Sequence, residues 1–486
     1  MGLFLLQGCA TNISKLFVES SQRPVEGAIF FESLDEAVEQ AGVRNAANVQ
    51  IPGFPYLRSN RFLDGLNDQL KNETQKQQWI LWQQQLDLDA RAKEIRSLPE
   101  ADFNVLAGRL NIEAERAVLL ERVAFYSEKL RIHDQRLPNY YRAVTAALHV
   151  PDEYITGYRV VGLYPITSLP VAVVTHRVYA KIAGWHAMPE DQLETLGQLK
   201  SYGPTNALGY SEEEIHKIMQ RSRENVFDIP LPSDEEAVTL MRMFAPVFIQ
   251  DEAADYDRIG EVLWNGEMVD VNPHNPRVYC YFSHAFFKGE PILQINYSLW
   301  YPARDGPNAP RIERGHLDGL TVRMSLDPDG KPFMVDIMNN CGCYHFFVPL
   351  KARVKRILPS PMAIDAFVPT WLPDSFPQER LAVRINSGWH QVNHVTAGAA
   401  PPDFRPYEFV AYDHLERLPH SDQTYESIFN SKGIAKNTDR IEPLIFFPMG
   451  VPDVGSMRQR GHHAIKFVGR AHFDDPDLFD DHFIFN

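Results

Sequence analysis

Cysteine is scarce, with four in 486 residues, and that excludes a scaffold built on disulfides. Positive charge is short as well. Lys and Arg total 48 against 63 Asp and Glu, a net charge of -15, so the chain is not built to grip phosphate backbones, and nucleic acid is not an expected partner. No stretch reaches the roughly 20 apolar residues that span a bilayer. The strongest, Val160 to Val174, is interrupted by Gly162, Pro165 and Pro170 and reads as strand and turn. Internal repeats and low-complexity tracts are missing. So are a Walker loop, a dinucleotide fingerprint, an HExxH, a nucleophile elbow and a CxxC pair, which leaves nucleotide, flavin and kinase chemistries without support.

What is present, at 44% hydrophobic and 23% charged, is a core-forming chain too long for one ordinary domain. Residues 1–60 read as a leader remnant and tether, with one short helical stretch at Ser33–Gln40 and a turn at Pro52–Pro55. Residues 61–150 read as an α-helical module. No proline falls between Arg61 and Leu98, and Leu119, Val123, Tyr126 and Leu130 recur at steps of four and three. Trp79 and Trp82 share a face as core anchors, Asn72 or Thr74 caps a helix start, and Pro99 fits another first turn. Residues 151–486 shift toward aromatic and β-branched residues, prolines and glycines. Strands are expected at Arg159–Val161, Ala172–His176, Arg277–Phe282, Gln294–Tyr301, Leu320–Leu326, Phe333–Met338, Leu381–Ile385 and Ile465–Val468, with helices at Glu212–Arg221 and Glu235–Met243. The fold class is therefore α+β: an α-helical N-terminal module, then a larger, mainly antiparallel β module with a few helices.

The most informative stretch runs from Arg314 to Phe347. Asp327-Pro328-Asp329-Gly330 is a turn signal, because Pro presets one dihedral and Gly accepts a positive φ. A register that keeps one face apolar sets Met324 opposite Phe333, Val322 opposite Val335 and Leu320 opposite Ile337. Continued outward, it sets Asp318 opposite Asn339 and His316 opposite Cys341, with Cys343 and His345 following on the same inward face. Burying this many polar groups without partners costs several kcal/mol. A site, a metal or a satisfied network has to absorb them.

A metal is the first reading. Opposed residues have Cβ atoms about 5 Å apart, so His316, Cys341 and Asp318 or Cys343 converge on one tetrahedral ion, zinc or another transition metal. On a straight strand His345 stands about 13 Å from Cys341 and is excluded. Three protein ligands and a water would support hydrolysis, with Asp318 or a remote histidine as base. His390, in Asn386-Ser387-Gly388-Trp389-His390, and the pair His462 and His463 are the remote candidates. A thiol site is the second reading, with Cys341 or Cys343 as nucleophile for acyl transfer, His316 as base and Asp318 as orienting carboxylate. This arrangement faintly resembles L,D-transpeptidases, but their Ser/Thr-His-Gly-Cys run followed by Arg is replaced here by Asn339-Asn340-Cys341-Gly342-Cys343. A structural reading also stands: inert buried thiols, or a disulfide for which Cys280 is the better-placed partner. The acidic segment Asp474–Asp481 reads as a solvated tail.

Near the start, Leu6-Gln7-Gly8-Cys9 resembles the lipobox of bacterial lipoprotein precursors. Gln7 departs from the usual small residue, and the basic leader and full apolar core are lacking, which an upstream translation start would explain. The resemblance implies lipidation at Cys9, and Ala10 then implies the periplasmic face of the outer membrane as the location. The Arg314–Phe347 and Ser456–Asp475 blocks are similar to segments of uncharacterised proteobacterial proteins, with no activity implied. The resulting expectation is a lipid-anchored envelope protein with a metal-binding, hydrolytic site, with thiol acyl transfer or a non-catalytic, partner-binding scaffold as alternatives.

Overall fold

The computed structural model describes residues 13–360, 363–399, 401 and 403–486. Cys9 lies outside them. Two compact units form, one from Met1–Pro151 with Leu415–Gly433, the other from Asp152–His414 with Ile434–Asn486.

The first unit is helical: α1 (Val25–Gln40), α2 (Glu73–Ser97), α3 (Glu100–Leu110), α4 (Arg116–Gln135) and α5 (Tyr140–Ala147). Asn72 caps α2 by accepting from the Gln75 N–H at 2.9 Å, and Pro99 stands just before α3. Trp79 is fully buried and donates to the Leu63 carbonyl at 2.7 Å, whereas Trp82 is half-buried. Among the described residues, the stretch from Val25 to Ser59 packs into the helical unit. Phe30, Leu34 and Val38 recur every four residues along α1 and are buried, as are Phe54, Tyr56 and Leu57. Buried Arg58 spans Asp87 and Glu94, so the lead-in is also held by charge.

The second unit centres on a ten-stranded sheet. Its strands are β1 (Gln198–Pro204), β2 (Val247–Glu252), β3 (Arg277–Phe287), β4 (Glu290–Arg304), β5 (Gly315–Leu326), β6 (Pro332–Asn339), β7 (Phe346–Pro349), β8 (Leu381–Ile385), β9 (Val392–Ala397) and β10 (Arg405–Ala411). They lie in the order β7-β6-β5-β4-β3-β10-β1-β2-β8-β9. Six of the nine adjacencies are antiparallel; β10 runs parallel to β3 and β1, and β8 parallel to β2. The class is thus α+β, with a sheet that is mixed yet mainly antiparallel.

Five further helices belong to this unit: α6 (Thr156–Val161), α7 (Tyr164–Ala187), α8 (Glu212–Ser222), α9 (Asp234–Phe244) and the short α10 (Glu442–Phe446). Ile215, Leu240 and Phe244 of α8 and α9 pack on one sheet face with Ile295, Val322 and Ile337. The other face carries Phe333, Met334 and Phe347 under Ile465, Phe473 and Phe479 from the C-terminal segment. Covering on both faces explains why β5 and β6 are buried almost throughout, polar side chains included.

Three expected strands are corrected. Arg159–Val161 and Ala172–His176 are helical, in α6 and α7, and Ile465–Val468 forms no strand. In the first two, β-branched residues suggested strand, but Pro165 sits in the first turn of α7, where its missing N–H costs nothing. Pro170, inside α7, removes one backbone bond. The third is bracketed by turns at Gly461 and Gly469, both with positive φ.

Candidate functional site

The Asp327–Gly330 turn forms as expected, with the Gly330 N–H donating to the Asp327 carbonyl at 2.8 Å and a Gly330 φ of 84°. The register beyond it differs. The turn already pairs Leu326 with Pro332, one residue on from the expected register, and a bulge between Pro332 and Met334 adds a second, so Met324 faces Val335, Val322 faces Ile337 and Leu320 faces Asn339. The slip keeps the apolar face of β5 inward, but it turns Phe333 to the opposite core beside Met334 and Met338.

The ladder then ends. After Asn339 the chain turns back through Cys341-Gly342-Cys343-Tyr344, with φ of 88° at Gly342 and 57° at Tyr344, and re-enters the sheet as β7. A side chain at Gly342 would meet the Ala464 carbonyl oxygen at 2.4 Å, so this turn admits only glycine. His316 therefore pairs with Ala303 of β4, not with Cys341, and its ring bonds to the Val269 carbonyl at 2.6 Å. Asp318 pairs with Tyr301 rather than Asn339. The expected face-to-face imidazole and sulfur fails because it assumed an unbroken strand through His345.

Asp318 instead anchors a buried charge network. Arg304 grips both its oxygens at 2.9 Å, and His390 Nδ1 lies 2.8 Å from Oδ2. The other His390 nitrogen lies 3.2 Å from Asp257 Oδ1, and the ring stacks on Tyr301 at 4.0 Å. Arg304 also donates to Glu313 at 2.7 Å; Glu313 in turn accepts from Trp389 Nε1 at 2.9 Å and from the Tyr344 hydroxyl at 2.5 Å. Burial would raise Asp318, but Arg304 and His390 outweigh it and hold its carboxyl far below the usual range. Burial would likewise lower His390, yet Asp257 and Asp318 outweigh that and raise it. The network is held in a strained backbone. His390, Leu317 and Tyr344 have φ of 51°, 54° and 57°, a region that non-glycine residues enter at a cost of about 1–3 kcal/mol each.

The two thiols share a hydrogen bond at the edge of this network. The Cys343 thiol donates to Cys341 and, helped by the Arg304 guanidinium and the Cys343 N–H, draws Cys341 below its ordinary value despite burial. The same bond, with burial, pushes Cys343 well up. Cys280, Cys341 and Cys343 are all free thiols, so the disulfide alternative is not realised.

Glu313, Trp389, Tyr344 and Cys343 also form the polar wall of a cavity of about 310 Å³. Its other walls are mainly apolar, from Val171, Val174, Val178, Ile364, Phe446 and Phe467. Two more titratable groups face it. Burial, with Cys341 and Glu313 nearby, raises Glu442 to about 8, and its Oε2 is buried without a hydrogen-bond partner. Burial lowers Lys466 to about 8, and its Nζ lies 2.6 Å from His482 Nε2.

Of the residues singled out from sequence, the structure brings Asp318 and Cys341 to Arg304, with Cys343 beside Cys341, and leaves His316 on a backbone carbonyl. Among the described residues no group of three or more His, Cys, Asp or Glu is arranged to hold a metal ion. Both Asp318 oxygens are already engaged. His390 does join Asp318, whereas His462 bonds to Glu153 at 2.9 Å and His463 is buried against Phe473, with its basicity lowered to about 3 by burial and Arg458. Sequence reasoning missed Arg304, Glu313, Asp257, Glu442 and Lys466, each an ordinary surface type until it is buried. Trp389 and Tyr344 had a signal, since each adjoins a flagged histidine.

No protein-family model, no curated protein and no solved structure matches the chain.

Proposed function

We propose that the second unit binds a small, mainly apolar molecule with a hydrogen-bonding head, of the acyl class, in the cavity beside Cys343. The observation that carries this reading is the wall itself: mainly apolar side chains beside Glu442, whose carboxyl keeps one oxygen buried against Gly455 without a hydrogen-bond partner. A volume of about 310 Å³ falls at the low end of the roughly 300–1,000 Å³ typical of ligand pockets. Near neutral pH Glu442 is protonated and donates to an acceptor on the ligand head, which removes the cost of an unmet buried group. The test is displacement of a fluorescent fatty acid. Val178→Trp fills the cavity and is expected to weaken binding about tenfold or more with the fold retained. Affinity should also fall as pH rises through about 8, and Glu442→Gln should abolish that fall. Equal binding by wild type and Val178→Trp sinks the reading.

Cys343 lines the same cavity and favours a second reading, thiol-dependent acyl transfer. The Cys343 sulfur attacks the acyl carbonyl as its proton passes to the Cys341 sulfur, whose ionised form the Arg304 guanidinium and the Cys343 N–H favour. A thioester forms, the leaving group departs with a proton from Glu442, and water or an acceptor then releases the acyl group. Because its own proton is held tightly, Cys343 is expected to react with iodoacetamide only as that proton passes to Cys341, slowly near neutral pH and about tenfold more slowly again in Cys341→Ser. Identical rates in the two proteins remove this mechanism and leave the binding reading standing.

A further inference from the structure

Beyond the cavity, an apolar face of the second unit is left uncovered by the described residues. Val161 is 78% exposed and Leu444 80%, and Leu163, Ile166, Leu169 and Ile445 are each more than half exposed. They come from α6, α7, α10 and the short links between them, elements that pack on one another through Phe447–Met449. Scattered apolar residues are normal on a surface; a ridge gathered from adjoining elements is not.

Charge says what covers it. From Tyr154 to Pro189 the chain has no Asp or Glu, although it carries 63 of them overall, and it holds Arg159, Arg177 and Lys181. In α10 the one acidic residue, Glu442, is buried and turned toward the cavity. Along α7 the outward stripe at helical spacing runs from Ile166, Leu169 and Val173 to exposed Arg177 and Lys181. Tyr158 and Tyr164 stand at its apolar end. An apolar stripe continued by basic residues fits the acyl and headgroup layers of an anionic membrane in turn. No helix among the described residues is long and apolar enough to cross a bilayer, so the fitting contact lies in the interface plane. Val171, Val174 and Phe446 of the same helices line the cavity. We propose that α6, the N-terminal half of α7 and α10 form a docking surface for anionic lipid bilayers, with the cavity wall as its inner side. The surface stands independently of what the cavity binds.

The test is co-sedimentation of the full chain with vesicles of phosphatidylcholine, with and without phosphatidylglycerol. Cys9→Ser is included so that no lipid anchor contributes. The expected result is binding that needs phosphatidylglycerol and weakens with salt. Ile166→Glu, Leu169→Glu and Leu444→Glu should each weaken it about tenfold, and Arg177→Glu severalfold. These side chains are exposed, so melting temperature and fatty-acid displacement should not change, which separates this inference from the cavity reading. A wild type that stays in the supernatant with every vesicle overturns the proposal. So do glutamate variants that bind as wild type does. Self-association without vesicles, abolished by the same variants, would show a second copy covering the face and overturn it equally.

Discussion

The Arg323–Asp336–His345 and Arg304–Asp318–His390 triads use the same three side chains in one sheet, yet only the second reaches a cavity wall. In the first, Arg323 and Asp336 are direct partners across β5 and β6, with bonds of 2.9 and 2.6 Å, and His345 lies 2.9 Å from Asp336. Phe473 stands 3.6 Å from the Arg323 guanidinium, and Phe347 closes the histidine side. Nothing remains unpaired, and His345 sits in ordinary backbone. In the second, His390 has carboxylates at both nitrogens and a left-handed backbone, and Arg304 passes the chain of bonds to Glu313 at the cavity. The lesson is that residue type and burial do not mark a site. Strain and a continuation toward open space do.

The largest effect expected is on stability. Arg323→Met and Arg304→Met each leave a buried aspartate uncompensated and should cost about 3–5 kcal/mol of unfolding free energy in urea. The two should part in function: Arg304→Met also weakens displacement of the fatty-acid probe, because Glu313 loses its charged partner, while Arg323→Met does not. Equal loss of binding in both would dissolve the distinction between the triads.

A smaller effect should separate them by pH. His390 is raised in the folded protein, so its contribution is complete below the unfolded value of about 6.5 and is lost as pH climbs through the folded value. His345 is lowered, by burial first and despite Asp336, so the unfolded chain takes its proton more readily and stability falls as pH drops below about 6.5. Unfolding free energies across roughly pH 5 to 8 should therefore lose the upper slope in His390→Gln and the lower slope in His345→Gln. Slopes of the same sign would contradict the assigned surroundings.

Much of the fold was legible. Strand cores at Leu320–Leu326 and Leu381–Ile385 announced themselves by alternation and Phe333–Met338 by its apolar run, and the helices that open at Glu212 and Asp234 stand behind capping Ser211 and Ser233. The α7 helix was misread although its signal was there: Ile166, Leu169 and Val173 recur at steps of three and four. They face outward, and β-branched content drew attention instead. The site was half legible. Asp318, Cys341 and Cys343 were named, but a one-residue offset at the turn, one bulged residue at β6 and a left-handed Tyr344 changed their partners.

Local rules act over a few residues, so the sequence by itself determined many of the helices and strands, though not α6, α7 or the Ile465–Val468 segment, where the Asp327–Gly330 turn falls, and that the Asp318 and Cys341 segments carry more polarity than a core tolerates. Only the tertiary structure decided that Arg304 and His390 meet Asp318, and that Glu313 and Trp389, joined to them through Arg304, line a cavity, although the four are dispersed over 87 residues of chain. Such meetings depend on sheet order, on one register slip and on the desolvation that gives each buried charge its partner, and none of these is written in the spacing of neighbouring residues.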